Sequence, residues 1–244
     1  MTVGAIVQAR LGSTRLPGKA LLDIAGTSMV ARVLDRTRRA QTVDRVILAT
    51  TTTSQDDRLV EYVRGLPVEI YRGDEGDVLD RYYQTAEHYA LDVVVRITSD
   101  CPLLDPGLID QVVQPLLDSS STVDFSANTL VRTFPRGLDV EAVTSTALKR
   151  VWRTAKAPHQ RAHVFPYVSE HREEFSTVSI TDEIDRSWMR WTVDFEEDLT
   201  FVREVCRFLE TQEFTWRDVL TLLERQPELL RINEMVRQKS AHDL

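Results

Sequence analysis

Five side chains in this sequence have the types that phosphate chemistry needs: Arg10, Arg15, Lys19, Asp100 and Asp194. The three cations lie in one short run, Gln8-Ala-Arg-Leu-Gly-Ser-Thr-Arg-Leu-Pro-Gly-Lys19. Together with the hydroxyls of Ser13 and Thr14 they can grip several phosphate oxygens through charge-assisted hydrogen bonds. Gly12 and Gly18 allow the backbone to approach a ligand, and Pro17 stiffens the turn. The run is close to a Walker A loop without being one, because five residues separate the glycines and Ala20, not Ser or Thr, follows the lysine. A solvated basic turn is the plain alternative. The concentration of cations, glycines and a proline favours an anion-binding loop.

Asp100 and Asp194 stand out because each closes an apolar, β-prone run: Val93–Ile97 before the first, Trp191-Thr-Val193 before the second. At the carboxyl ends of parallel strands both would share an edge with the basic loop, which is where open α/β sheets bind ligands. Two carboxylates beside phosphates suit Mg²⁺, which takes one or two protein carboxylates plus phosphate oxygens. Each aspartate also has a structural reading. Asp194-Phe-Glu-Glu197 fits a capping box for the helix that follows, and Asp100 fits a turn.

The elements that must position these groups alternate along the chain. Val3–Val7 is a buried strand feeding the loop, and Met29–Arg38 is an amphipathic helix. Strands follow at Asp44–Thr50, Val68–Tyr71 and Asp92–Ile97, with helices at Leu59–Arg64 and Asp77–Tyr89 between them. Such alternation implies crossover connections and a mostly parallel sheet. Asp105-Pro106 reads as an N-cap with proline at the first helical position. Further strands are expected near Val123–Ala127, Leu138–Val143, Ser176–Ile180 and Met189–Val193. Helices are expected from Ser145 to about Lys156, from Arg161 to about His171, and at Glu196–Thr211, Trp216–Glu224 and Glu228–Gln238.

Several stretches resemble one enzyme family. Ile6 to Leu21 is similar to the opening motif of the cytidylyltransferases that make CMP-Kdo and CMP-sialic acid, and closer to their spore-coat polysaccharide biosynthesis protein F branch. Four more stretches resemble that branch, in order: Arg72–Tyr82, Val95–Leu103, Thr133–Glu141 and Trp191–Leu199. The resemblance implies a nucleotide-diphosphosugar-transferase (GT-A-like) fold, a three-layer α/β/α sandwich on a mostly parallel mixed sheet. It implies one nucleotidyltransferase domain over residues 1–244, with C-terminal helices from about 196 packed on it. Arg10, Arg15 and Lys19 would hold the triphosphate of CTP and, with Asp100, make up the catalytic set. Gln8, Ala9, Leu11, Gly12, Ser13, Asp74 and Ser99 would complete the nucleotide site, and Asp100 and Asp194 match the Mg²⁺ ligands. Arg136, Asp139 and Glu141 are candidates for the acceptor side, although the same stretch also reads as a turn and an ordinary strand. Members often dimerise, so a homodimer is expected. The chain departs from the family pattern at Gln8 (proline in CMP-Kdo synthetases), Ser99 (usually glycine) and Ala162 (often glutamate in the branch).

Length and composition agree with a globular α/β protein: 244 residues, net charge −8 and two cysteines without Cys-x-x-Cys spacing. The acidic balance argues against non-specific nucleic-acid binding. The charge is uneven, since residues 1–39 hold seven Arg/Lys against two Asp, a net of +5. That suits an anion site on an otherwise repelling surface. Two unpaired cysteines, a short apolar start and no membrane-length apolar run together predict a cytoplasmic protein with no membrane partner. His159 and His163, four apart, have no third partner and do not read as a zinc site. The expected activity is transfer of CMP from CTP to an acidic sugar or sugar phosphate for surface polysaccharide or glycoconjugate synthesis. A glycosyltransferase using a sugar nucleotide and a non-catalytic nucleotide-binding protein are the two alternatives.

Overall fold

The computed structural model of the chain describes residues 1–118, 120, 122–209, 211 and 213–237. Strand β1 (Val3–Gln8) leads through the basic loop and a small hairpin, β2 (Asp23–Ile24) and β3 (Thr27–Ser28), into helix α1 (Met29–Arg38). Ser28 caps α1 by accepting from the Ala31 N–H at 3.2 Å. There follow β4 (Arg45–Thr51), α2 (Asp57–Val63), β5 (Glu69–Gly73), α3 (Val78–His88), β6 (Val93–Thr98) and α4 (Pro106–Leu117). Beyond them come β7 (Phe125–Ala127), β8 (Glu141–Thr144), α5 (Ser145–Thr154), α6 (Pro158–His163), α7 (Pro166–Glu170), β9 (Thr177–Ser179), α8 (Glu196–Leu209) and α9 (Trp216–Arg225).

Among the described residues, seven strands form one sheet in the order β5-β4-β1-β6-β8-β7-β9. The pairs β5–β4, β4–β1, β1–β6 and β7–β9 are parallel, and β8 runs antiparallel to both its neighbours. The sheet is covered on both faces. Val3, Ala5 and Val7 of β1 face one side with Val46, Leu48, Val93, Val95 and Ile97, under α1 and α4. Ile6, Ile47, Ala49 and Val94 face the other, under α3 and α5. Period-two alternation with both faces buried is why these strands read as continuous apolar runs. The result is a three-layer α/β/α sandwich.

A third cluster joins α8 and α9 to Leu16 of the basic loop, Leu103, Leu108, Trp191 and Val193. Asp105 is the expected N-cap of α4, accepting from Leu108 N–H at 3.1 Å, and its other oxygen accepts from Trp216 N–H at 2.6 Å. One carboxylate thereby joins the starts of α4 and α9.

The helix expected from Arg161 to His171 is instead two short ones. Val164 sits between them at φ 75°, and Pro166 has no N–H to donate and a ring that would clash with the carbonyl four residues back in a continuous helix. The strand expected at Met189–Val193 reduces to a single parallel bridge between Arg136 and Arg190. A short 3₁₀ helix spans Pro227–Arg231 where a longer terminal helix was expected, and Gln238 lies outside the described residues.

Candidate active site

The basic loop leaves β1 at Gln8 and is fixed from below by Asp56, a carboxylate just before α2. Asp56 is 1% exposed and accepts from the Leu11 N–H at 2.7 Å and from the Thr51 hydroxyl. The Leu11 carbonyl accepts from Ser13 N–H at 2.9 Å and Gly18 N–H at 3.2 Å, so the loop folds around Leu11. Gly18 adopts φ 68°, a left-handed conformation that glycine takes without cost, and this turns the chain into the 3₁₀ turn Lys19–Leu21. Leu11 itself is buried in the core, whereas Gln8, Ala9, Arg10, Gly12, Ser13, Arg15 and Lys19 line an open cleft of about 530 Å³.

Asp100 and Asp194 line the same cleft. They meet because the segment before Asp194 is stitched to the turn after β6. The Val193 N–H donates to the Asp100 carbonyl at 2.8 Å, and the Thr192 hydroxyl to the same oxygen at 3.2 Å. On its other side this segment bonds to Arg136, whose N–H donates to Met189 O and whose carbonyl accepts from Trp191 N–H at 2.6 Å. Gly137 adopts φ 105° there, and a Cβ would fall 2.5 Å from Thr192 N. Only glycine fits that crossing.

Lys19 lies at the centre. Its Nζ donates to Asp100 Oδ2 at 2.8 Å, Asp194 Oδ1 at 2.9 Å and Val193 O at 2.8 Å. Arg15 Nη2 donates to Asp194 Oδ1 at 2.8 Å from the same side. Burial alone would raise the Asp100 pKa, but the adjacent Lys19 ammonium reverses this and pulls it down to about 2. Burial alone would lower that of Lys19, and the two carboxylates raise it instead. Both groups are therefore charged at neutral pH.

Asp194 does not cap α8. The capping carboxylate is Asp198, which reaches back to the N–H groups of Asp194 at 3.0 Å and Phe195 at 3.1 Å. Asp198 is fully buried and takes both Nε and Nη2 of Arg190 at 2.8 and 2.9 Å, while Asn233 Nδ2 donates to its Oδ1 at 3.0 Å. Arg190 Nη2 also donates to Asp194 Oδ2 at 3.1 Å. Asp194 Oδ2 is thus held by the buried Arg190, and Oδ1 by Lys19 and Arg15.

Residues 4–234 match the family model described as cytidylyltransferase. The chain belongs to the cytidylyltransferase family. Among its relatives is the spore coat polysaccharide biosynthesis protein SpsF of Bacillus subtilis, 28% identical over 91% of this chain and 94% of that one. The 3-deoxy-manno-octulosonate cytidylyltransferase of Geobacter sulfurreducens is 38% identical over 54% of this chain and 52% of that one. A solved cytidylyltransferase from Leptospira borgpetersenii superposes with a TM-score of 0.91 at 32% identity, covering 98% of this chain and 99% of that chain.

Within this cytidylyltransferase, the three departures noted above, Gln8, Ser99 and Ala162, all line the cleft, as does His163. The cleft is also lined by residues that sequence reasoning passed over: Glu75, which accepts from Arg10 at 3.1 Å, Gly76, Val78 and Arg81. Arg81 is 3% exposed and its Nη1 donates to the Asp74 carbonyl at 2.7 Å. Burial, with Arg10 nearby, holds its pKa below the usual arginine value. Asp74 does not line the cleft; its carboxylate shapes the turn before α3 by accepting from Gly76 and Asp77 N–H groups at 2.7 and 2.9 Å. Arg136, Asp139 and Glu141 lie beyond the cleft lining. Arg132 holds Asp139 in a bidentate pair at 2.6 and 2.7 Å, and Glu141 takes Arg96 at 2.6 Å and the Thr129 hydroxyl at 2.8 Å. His159 pairs with Glu170 at 2.6 Å, outside the cleft lining. No helix among the described residues is long and apolar enough to cross a membrane.

Proposed function

We propose that this protein transfers the cytidylyl group of CTP to an acidic sugar or sugar phosphate, releasing pyrophosphate, in surface polysaccharide or glycoconjugate synthesis. The observation that carries the reading is one cleft at the carboxyl edge of β1 and β6, lined together by Arg10, Arg15 and Lys19 of the loop and by Asp100 and Asp194. An acceptor oxygen forms the bond to the α-phosphorus, giving up its proton to water where it is a hydroxyl, the bond from that phosphorus to the bridging oxygen breaks, and pyrophosphate carries away the electron pair. The chain's contribution is placement and charge: Arg10 and Arg15 hold phosphate oxygens, and the fixed loop keeps them in line.

The donor set fits a divalent cation. Two carboxylate oxygens and one carbonyl already converge on one cationic point, and hard oxygen donors are what Mg²⁺ selects. Asp100 and Asp194 would hold it, and when bound it supplies neutralisation of the phosphate charge. On the acceptor side, Arg136 has no ion-pair partner among the described residues. Burial, followed by Arg132 nearby, lowers its pKa against the pull of Asp139. The test is a pyrophosphate-release screen of the four NTPs against acidic sugars and sugar phosphates. Release with CTP and one acceptor is expected, and failure of every pair would refute the assignment.

A further inference from the structure

The arrangement of Lys19 has a consequence for the order in which this site fills. A lysine ammonium has three N–H donors. All three are taken, by Asp100 Oδ2, Asp194 Oδ1 and Val193 O, each within 2.9 Å. No donor remains for a phosphate, so Lys19 cannot grip a nucleotide from this position. The oxygens it covers are also those that would hold a divalent cation. Two cations cannot share one point, and their mutual repulsion at such range in a half-buried site is severe.

Arg15 differs in kind. It touches the same Asp194 oxygen at 2.8 Å but comes from the rim, a third of its side chain exposed, with its guanidinium 5.4 Å above the Phe195 ring. It contributes charge without covering the point between the carboxylates. Lys19 is 13% exposed and does both. Its long unbranched stem, rooted just after the left-handed Gly18, can swing toward the loop without moving the backbone.

We propose that Lys19 is a latch on the metal site: in the free protein it occupies the cation position between Asp100 and Asp194, and a divalent cation enters only when nucleotide phosphates draw Lys19 away. This rests on the reading of Asp100 and Asp194 as metal ligands. Nucleotide and cation are then positively coupled through the protein, and the coupling is reciprocal. The free carboxylates are kept from collecting stray divalent ions, and the cation arrives with the substrate it serves.

The experiment is Mn²⁺ binding, followed by the electron paramagnetic resonance of the free ion, with no acceptor present so that CTP is not consumed. Wild type, Lys19→Met and Arg15→Met are each titrated with and without CTP, a protein-free Mn²⁺–CTP titration is subtracted, and melts confirm folding. If Lys19→Met does not fold, Lys19→Gln keeps hydrogen-bond donors without the charge and takes its place. Without nucleotide, the Lys19 variant should bind Mn²⁺ at least about tenfold more tightly than wild type. Arg15→Met removes the same charge but leaves the latch, and should gain less than about threefold. CTP should then raise the affinity of wild type by a larger factor than that of the Lys19 variant. Equal gains in the two variants would reduce the effect to net charge and overturn the latch, as would a Lys19 variant no tighter than wild type. If CTP-loaded wild type binds no more Mn²⁺ than the same CTP binds without protein, the metal assignment beneath the latch falls with it, a result separable from the others because it appears in wild type alone.

Discussion

Asp194 and Asp198 are four residues apart, and they should fail in opposite ways when neutralised. Asp198 is fully buried and accepts from Arg190 twice, from two backbone N–H groups and from Asn233. In Asp198→Asn one of those oxygens becomes an NH₂ aimed at other donors, and Arg190 is left buried with a weaker partner. Breaking a buried pair this way costs about 3–5 kcal/mol. For a chain of this size about 1 kcal/mol shifts the melting temperature by roughly 2–4 °C, so a fall of about 6–20 °C is expected. Asp194→Asn leaves Arg190 with Asp198 and Lys19 with Asp100 and Val193 O, and the amide oxygen still accepts. Its cost should stay near about 1–2 kcal/mol, since only the charge-assisted part of its bonds is lost. Turnover should show the reverse ranking: a neutral amide is a poor ligand for a hard dication, so Asp194→Asn should all but abolish pyrophosphate release. Folded Asp198→Asn, assayed well below its melt, should keep a measurable rate. Thermal melts and steady-state pyrophosphate release on both variants decide the matter. Asp194→Asn melting as low as Asp198→Asn, or retaining full activity, would return Asp194 to a structural role.

Arg15→Ala should weaken CTP binding by about 1.5–3 kcal/mol, the worth of one charge-assisted hydrogen bond, with little change in melting; unaltered affinity by titration calorimetry would remove Arg15 from the phosphate site. Arg136→Lys should raise the acceptor KM several-fold while leaving that of CTP unchanged, because lysine keeps the charge but loses the planar fork; equal effects on both would move the acceptor elsewhere. The Asp100 carboxyl, held near 2 against its ordinary 3.8, contributes stability that is present above about pH 4 and lost as pH falls toward 2. With its side chain 26% exposed this is at most about 2 kcal/mol, of which about two thirds is lost between pH 5 and pH 2.5, so the melting difference between wild type and Asp100→Asn should shrink by at most about 5 °C over that range. Gly137→Ala should destabilise by about 3 kcal/mol or more, read by thermal melts, because its Cβ would meet the backbone of Trp191 and Thr192 at under 3 Å.

What could be read from the sequence was whatever a local pattern encodes. The apolar runs of β1, β4 and β6 are continuous because both faces of the sheet are covered, and the helices between them carry their periodicity in a few turns. The basic loop was legible for the same reason, since all its chemistry lies within a dozen residues. The support beneath it was not. Asp56 holds Leu11 across 45 positions, and nothing in the polar run around it distinguishes the one buried carboxylate from its exposed neighbours. Arg81 sits on a helix face whose pattern predicts burial, and a buried arginine there looks like a break in that pattern until the cleft beside it is seen.

The assignment of the cap shows why spacing alone ran out. A capping box spans three residues, as from Asp194 to Glu197, and Asp194-Phe-Glu-Glu-Asp198 also places a carboxylate three residues past Phe195. Locally, either aspartate could serve the other's backbone. What decides is long-range: Lys19 and Arg15 arrive from 175 and 179 positions away to claim one oxygen of Asp194. Arg190 and Asn233 close around Asp198. Asp198 is sealed in a fully satisfied buried network, where neutral substitution is costly, and Asp194 is left facing cations that have reasons to move. A carboxylate that only completed the helix would have no need of Arg15 or Lys19. The division of labour between the two aspartates therefore belongs to the tertiary fold, and it leaves Asp194 Oδ1 as the oxygen turned toward the chemistry.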